Sequence, residues 1–276
     1  MLNIPAKVNE RITKNLKKFQ KIVASAKIND INEADTVSII KDILNEILGY
    51  DKYSEITSEY AVKRTYCDLA IKKGGSPYIL IEVKAIGITL KDDHTKQALD
   101  YGSNAGIDWI ILTNAAHWKI YKIVFSKPIQ SELVYEFYFE DLNPRKSSDI
   151  EMLYYLCKEA AAKSSTKGLL DDYRERKQLL SRYLVGQVLL TDEVLDSIRK
   201  ILRKISPGSK ISIDEIKLVL ENEVVKREVF DEEKTAELKK KVQKALKPPV
   251  KRLVQVKHPI MLIMKTRNPI KAQPVF

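Results

Sequence analysis

The chain has 276 residues, of which 44% are hydrophobic and 31% charged, and a formal net charge of +11. That length can bury one large core or two modest ones, and no window approaches the roughly 18 unbroken apolar residues that a membrane helix requires, which argues against an integral membrane protein. Cys67 and Cys157 stand far apart without CxxC or Cys/His spacing, so a structural zinc site is not expected and the thiols should be reduced; the basic amino terminus lacks an apolar signal region, which points to the cytoplasm.

Val8, Ile12, Leu16, Phe19 and Val23 recur at three- and four-residue steps and predict an amphipathic helix with Arg11, Lys14, Lys17, Lys18 and Lys21 mostly on its wet side. A second helix should begin at Asn32, with Asn32 as cap and Asp35 in the first turn, bury Val37, Ile40, Ile43, Leu44 and Ile47, and end at Gly49. Between Glu55 and Phe125 the period changes to two. Strands are expected over Tyr66–Lys72 and Tyr78–Ala85, joined as a hairpin across the breaker cluster 73–77, then over Trp109–Thr113 and His117–Phe125, with a helix over Asp92–Asn104 before the last two. After Asn143-Pro144 the pattern is helical: Ile150–Lys163, Gly168–Val185, Asp192–Ile205 and Asp214–Val229, with a break at Ser206-Pro207-Gly208.

The expected division is therefore an α/β domain over 1–145, a helical region over 146–246, and a basic, proline-containing tail over 247–276. From Leu238 onward there are eleven basic residues and no acidic one; with those set aside, 37 basic residues remain against 37 acidic, so residues 1–237 are formally neutral. A tail of this kind binds phosphates without reading sequence, although Val254–Val256 and Ile260–Met264 are too apolar for a purely solvated segment.

Hydrolysis of a phosphodiester with a bound divalent cation needs hard oxygen ligands on rigid backbone and a cation near the attacking water or the phosphate. Glu82 and Lys84 stand two apart in an otherwise apolar strand and project to one face, with Ile81, Val83 and Ala85 on the other. If the turn centres near Gly75, antiparallel pairing sets Asp68 opposite Glu82. Two carboxylates and a lysine then meet on one patch. The ExK triplet alone carries no information, since it recurs at Glu175, Glu215, Glu232 and Glu237, all in predicted helices where charges are a solvated face. What distinguishes Glu82 and Lys84 is the buried strand around them, where a charge must be paired or functional; a cross-strand salt bridge would use the same residues.

Several segments carry a resemblance: 32–36 (Asn32, Glu33, Thr36), 48–51 (Leu48, Tyr50, Asp51), Cys67-Asp68-Leu69, Ile81-Glu82-Val83-Lys84-Ala85, the Gln97-x-x-x-Tyr101 pair, and the strand pair 109–114 and 117–121. In this order they resemble the amino-terminal nuclease domain of type I restriction enzyme R subunits, a branch of the PD-(D/E)xK superfamily. The resemblance implies a restriction-endonuclease-like core, a mixed sheet flanked by helices, followed here by an α-helical region. It implies that Asp68 and Glu82 bind Mg²⁺, with Mn²⁺ as a substitute, and that the Val83 carbonyl is a further ligand. Lys84 would orient the water or stabilise charge on the phosphate, and Gln97 and Tyr101 would position DNA or the Lys84 side chain. Glu33 is the candidate to complete the metal's surroundings, with Glu46 competing and a helix-capping role equally open. His94 is a candidate base, but a helix-start histidine is the simpler account.

One departure matters. R subunits continue into a helicase motor, whereas no GxxxxGK[ST] loop occurs in this sequence, so no ATP site is expected. The expected function is a Mg²⁺-dependent DNA endonuclease, working alone or with restriction-modification or phage-encoded subunits; cutting both strands with one site per chain calls for a homodimer or two binding events. The alternative is a non-catalytic nucleic-acid-binding or assembly protein that keeps the nuclease fold.

Overall fold

The computed structural model describes residues 2–162, 168–230 and 232–246, and the chain forms two compact units, Met1–Ser181 and Arg182–Phe276. The tail 247–276, with its apolar runs, lies outside the described residues. No helix among the described residues is long and apolar enough to cross a membrane.

In the first unit, helix α1 (Ala6–Ile28) buries Val8, Ile12, Leu16, Phe19 and Val23, the stripe its periodicity predicts. Helix α2 (Glu33–Glu46) is capped by Asn32, whose side chain accepts from the Asp35 amide at 2.9 Å. Beyond its end Gly49 takes a positive φ of 84°, and Arg11 closes the junction by donating to the Ile47 carbonyl and, through both terminal nitrogens, to Glu159.

Six strands form one sheet in chain order: β1 (Ile56–Val62), β2 (Thr65–Lys73), β3 (Ser76–Val83), β4 (Trp109–Thr113), β5 (His117–Val124) and β6 (Gln130–Tyr138). Every neighbouring pair is antiparallel except β3 and β4, which run parallel because helix α3 (Asp92–Ala105) carries the chain back between them. The sheet is thus mixed and central. One face, with Leu69, Ile71, Ile79, Ile81, Val83, Trp109 and Ile111, packs on α1 and α2; the other, with Ala70, Leu80, Ile110 and Leu112, packs on Ala98 of α3. Strand β4 is buried at all five positions, as a central strand covered on both faces must be.

The edge strands β1 and β6 are additions to the sequence reading. The first core also takes in Ile150, Leu153 and Tyr154 of α4 (Ser147–Tyr154), Ala160 of α5 (Lys158–Ala162) and Leu170 of α6 (Leu169–Leu179). Asn143-Pro144 is therefore a turn inside the first unit, since the helices after it supply core that the sheet needs. The predicted helix over Gly168–Val185 is two helices, α6 and α7 (Arg182–Leu189). In the second unit α7 is followed by α8 (Asp192–Ile205), α9 (Ile213–Val219), a π-helical turn (Leu220–Val224), a short 3-10 helix (Arg227–Phe230) and α10 (Glu232–Leu246).

Candidate active site

The geometry begins at the β2–β3 turn. Gly74 and Gly75 both have positive φ, 59° and 83°, the pair of left-handed residues that a tight hairpin turn demands. Next to the turn Lys73 pairs with Ser76 and Lys72 with Pro77; a bulge between Ile71 and Lys72 then shifts the register by one, so that Ile71 pairs with Ile79 and Leu69 with Ile81. Beyond that last pair, one step sets Asp68 across from Glu82.

At this point the ladder gives way to side-chain bonding. Asp68 Oδ2 accepts the Val83 amide N–H at 2.7 Å, so the carboxylate is fixed by backbone rather than by its rotamer alone. Glu82 is 2% exposed. Its Oε1 accepts from Lys84 Nζ at 2.7 Å, while its Oε2, also buried, has no donor. On the far side, the Lys84 amide donates to the Thr113 carbonyl at 2.9 Å, which ties the end of β3 to the end of β4. The three side chains therefore stand at the carboxyl ends of the two parallel strands, where sheets of this kind open to ligands.

Burial pushes the Glu82 carboxyl up to about 7, assisted by the fields of Asp68 and Glu33 and opposed by Lys84. Asp68 is raised by burial, against the Val83 amide and Lys84, which lower it. For Lys84 burial acts downward, but the bond to Glu82 and the fields of Glu82, Glu33 and Asp68 outweigh it, and its pKa is raised. Two facing carboxyls with one undonated oxygen call for a proton or a cation between them. The donor chemistry fits a hard dication, since Mg²⁺ retains waters and is commonly held by only one or two carboxylates. Among the described residues, however, no group of three or more His, Cys, Asp or Glu side chains is gathered as a metal cage.

On α3, Gln97 Nε2 donates to Tyr101 Oη at 3.0 Å, one helical turn on. Both flank the stripe of Ala98 and Gly102 by which the helix lies on the sheet; a Cβ at Gly102 would meet Ile110 Cδ1 at 2.4 Å, so the helix approaches as closely as glycine permits.

Residues 39–135 match the family model for the type I restriction enzyme R protein N terminus. The match runs from within α2 to within β6 and takes in Asp68, Glu82, Val83, Lys84, Gln97 and Tyr101, but not Glu33. Neither the curated proteins nor the solved structures yield a match.

Outside the segment matched to the R protein, Glu33 is the exposed first residue of α2 and reaches the site through its field. Glu46 is engaged elsewhere, in an ion pair with Lys18 at 2.5 Å. His94 Nδ1 accepts the Lys91 amide at 3.3 Å and serves the start of α3.

Two residues within the matched segment were missed by sequence reasoning. Asn114, buried after β4, donates through Nδ2 to the carbonyls of Ile86 and Ile88 and accepts from the His117 amide, which clasps the stretch following Lys84. An Asn between a strand and a turn gives no hint of that. Glu59 has a φ of 49°, interrupts the β1–β2 ladder between the pairs of Ser58 and Tyr60, and acts on Asp68 through its field. A left-handed glutamate has no sequence signature.

Proposed function

We propose that the first unit is a divalent-cation-dependent DNA endonuclease with a PD-(D/E)xK core, of the kind that begins type I restriction R proteins. The observation that carries this reading is the buried Oε2 of Glu82, without a donor and in a carboxyl under the field of Asp68, while Lys84 holds Oε1. Asp68 and Glu82 would hold Mg²⁺, or Mn²⁺, with the Val83 carbonyl as a further donor and Glu33 adding negative charge nearby. A cation held there would polarise the phosphate and lower the pKa of a bound water, so that hydroxide is available as nucleophile at neutral pH. Lys84 would orient the attacking water or stabilise the charge that develops on the phosphate. Gln97 and Tyr101 present an N–H and an O–H that can contact the sugar–phosphate backbone, where such contacts position a strand without reading it. The partners are then DNA, a second copy of the chain for cutting both strands, and restriction-modification subunits.

One observation favours a second reading, a nucleic-acid-binding or assembly protein that does not turn over: no third protein carboxylate is gathered with Asp68 and Glu82 among the described residues. Plasmid cleavage separates the two. Mg²⁺-dependent nicking or cutting by the wild-type chain, abolished in Glu82→Ala and Lys84→Ala, is expected; cleavage that persists unchanged in Glu82→Ala would overturn the endonuclease assignment, and a wild type that binds DNA without cutting supports the second reading.

A further inference from the structure

Helix α8 carries Val194, Leu195, Ile198, Ile201, Leu202 and Ile205 at three- and four-residue steps, one continuous apolar stripe. Within the second unit that stripe is only partly used. Leu195 is buried and Ile198 and Leu202 are half-buried, but Ile201 is 58% and Ile205 75% exposed. Single exposed aliphatics are ordinary on a surface; a stripe of them along one helix marks a place where something docks.

Beside the stripe, α8 and α9 border a cavity of about 250 Å³ whose apolar wall is Ile198, Leu202, Ile211, Ile216, Val219 and Leu220. Its one charged wall residue, Glu215, is engaged in the cap of α9, where it accepts from the Ser212 amide and hydroxyl. The volume falls below the roughly 300–1,000 Å³ of pockets that take small organic ligands, and the wall lacks the convergent polar groups that orient them. It suits aliphatic side chains entering from a facing helix.

The charges that flank the stripe single out the facing helix. Asp192, Glu193 and Asp196 occupy the first half of α8, and Arg199, Lys200, Arg203 and Lys204 the second, without exception. This order suits the dipole of the helix itself. It also makes α8 complementary to a second α8 laid on it in the opposite direction, with an acidic start on a basic end at both ends of the contact. Asp196, near the middle, is bonded within its own helix to Arg199 and, at 2.7 Å, to Lys200. Asp192, Glu193, Arg203 and Lys204, at the two ends, form no ion pair among the described residues. A phosphate backbone or an anionic bilayer would be drawn to one half of the helix and repelled by the other, whereas a partner with the reversed order meets both.

We propose that this face of α8 and α9 is a two-fold interface between copies of the chain, with the two α8 helices antiparallel. Ile201 and Ile205 of one copy pack on the apolar cavity of the other, and Asp192 and Glu193 face Arg203 and Lys204 at each end, so that one patch serves both sides of the contact. The surface is drawn from the second unit alone and does not depend on whether the first unit cuts DNA.

Sedimentation velocity of the full chain over a range of concentrations tests this. Reversible association to a dimer is expected. The Ile201→Glu/Ile205→Glu double variant, altered at positions exposed in the single chain, should raise the dissociation constant about tenfold or more with its helix content unchanged. Asp192→Lys/Glu193→Lys and Arg203→Glu/Lys204→Glu should each weaken the dimer as well, because each sets like charges against like, and mixing the two variants should restore it as a heterodimer. A wild-type chain that stays monomeric at every concentration overturns the proposal and leaves the face to another occupant; a dimer as tight in Ile201→Glu/Ile205→Glu as in wild type overturns it too. If that variant does not fold, the charge variants decide: a mixture that associates no more tightly than either variant alone overturns the proposal.

Discussion

Glu82 and Lys84 are bonded at 2.7 Å along a single strand, carboxylate to ammonium, yet the pKa of each is raised. Burial governs the acid and the ion pair governs the base. The pair is therefore not a neutralised unit: the acid retains a preference for a proton, or for something that stands in for one.

The first prediction follows from that preference. Glu82 has an ordinary value of 4.5 and a folded value of about 7, so between these limits the native chain holds more protons than the unfolded one, and stability falls as pH rises. The penalty is absent below about pH 4.5 and complete above about pH 7. Glu82→Gln removes it, and the stability of the variant relative to wild type should improve by about 1–3 kcal/mol from pH 4.5 to pH 8. Urea denaturation at both pH values measures this; a difference independent of pH would falsify it.

Asp68 should separate structure from chemistry. Asp68→Ala leaves the Val83 amide without its acceptor and is expected to cost about 1–3 kcal/mol. Asp68→Asn keeps an acceptor at that atom and should cost less. Under the endonuclease reading both lose cleavage. Equal losses of stability in the two variants would mean that the bond to Val83 does not hold the strand.

Two classes of glycine should fail for different reasons. Gly74→Ala and Gly75→Ala meet no neighbour within 4 Å but require positive φ, so each should cost about 1–2 kcal/mol through backbone strain alone. Gly102→Ala has an ordinary helical backbone and collides with Ile110, Ile123 and the Ile107 carbonyl, which predicts about 1–3 kcal/mol of overpacking. Ile110→Val should partly rescue Gly102→Ala and leave the turn variants unrescued. A thermal denaturation series reads the difference.

Asn114→Ala removes two hydrogen bonds that clasp the segment after Lys84, at Ile86 and Ile88, and a third from the His117 amide. Amide exchange over residues 85–90 should quicken by about tenfold or more, with the β1–β2 pairing unaffected. Unchanged protection there would show that the segment is held without Asn114.

Elements in both units were legible. Trp109–Thr113 and Asp192–Ile205 fall at their expected bounds because each has an unbroken pattern and clear ends. The edge strands were not: Ile56–Val62 buries only its two end residues, and Gln130–Tyr138 buries three, since a strand with one neighbour needs little apolar surface. In the helix expected over Gly168–Val185, Leu179 and Leu180 continue the apolar pattern across the actual break and are exposed. Within the candidate site, Asp68 was expected across from Glu82 on the premise of a turn centred at Gly75; the turn instead pairs Lys73 with Ser76, and it is the bulge between Ile71 and Lys72, which the sequence did not announce, that brings the expected register about. That Asp68 would bond the Val83 amide, and that Glu82 would be left with an undonated oxygen, depends on atoms that no pattern encodes.

The bulge between Ile71 and Lys72 makes the length of this hairpin discrete. Every residue added to or removed from one side of the turn reverses which face each later side chain meets, so a single deletion beside Gly75 would send Glu82 and Lys84 into the first core and Ile81 and Val83 to the opposite face of the sheet. Surface loops ordinarily drift in length one residue at a time. This one can change without inverting the strand only in steps of two, or by one with the loss of the bulge, and its length is therefore held by the strand's chemistry rather than by any contact the loop makes.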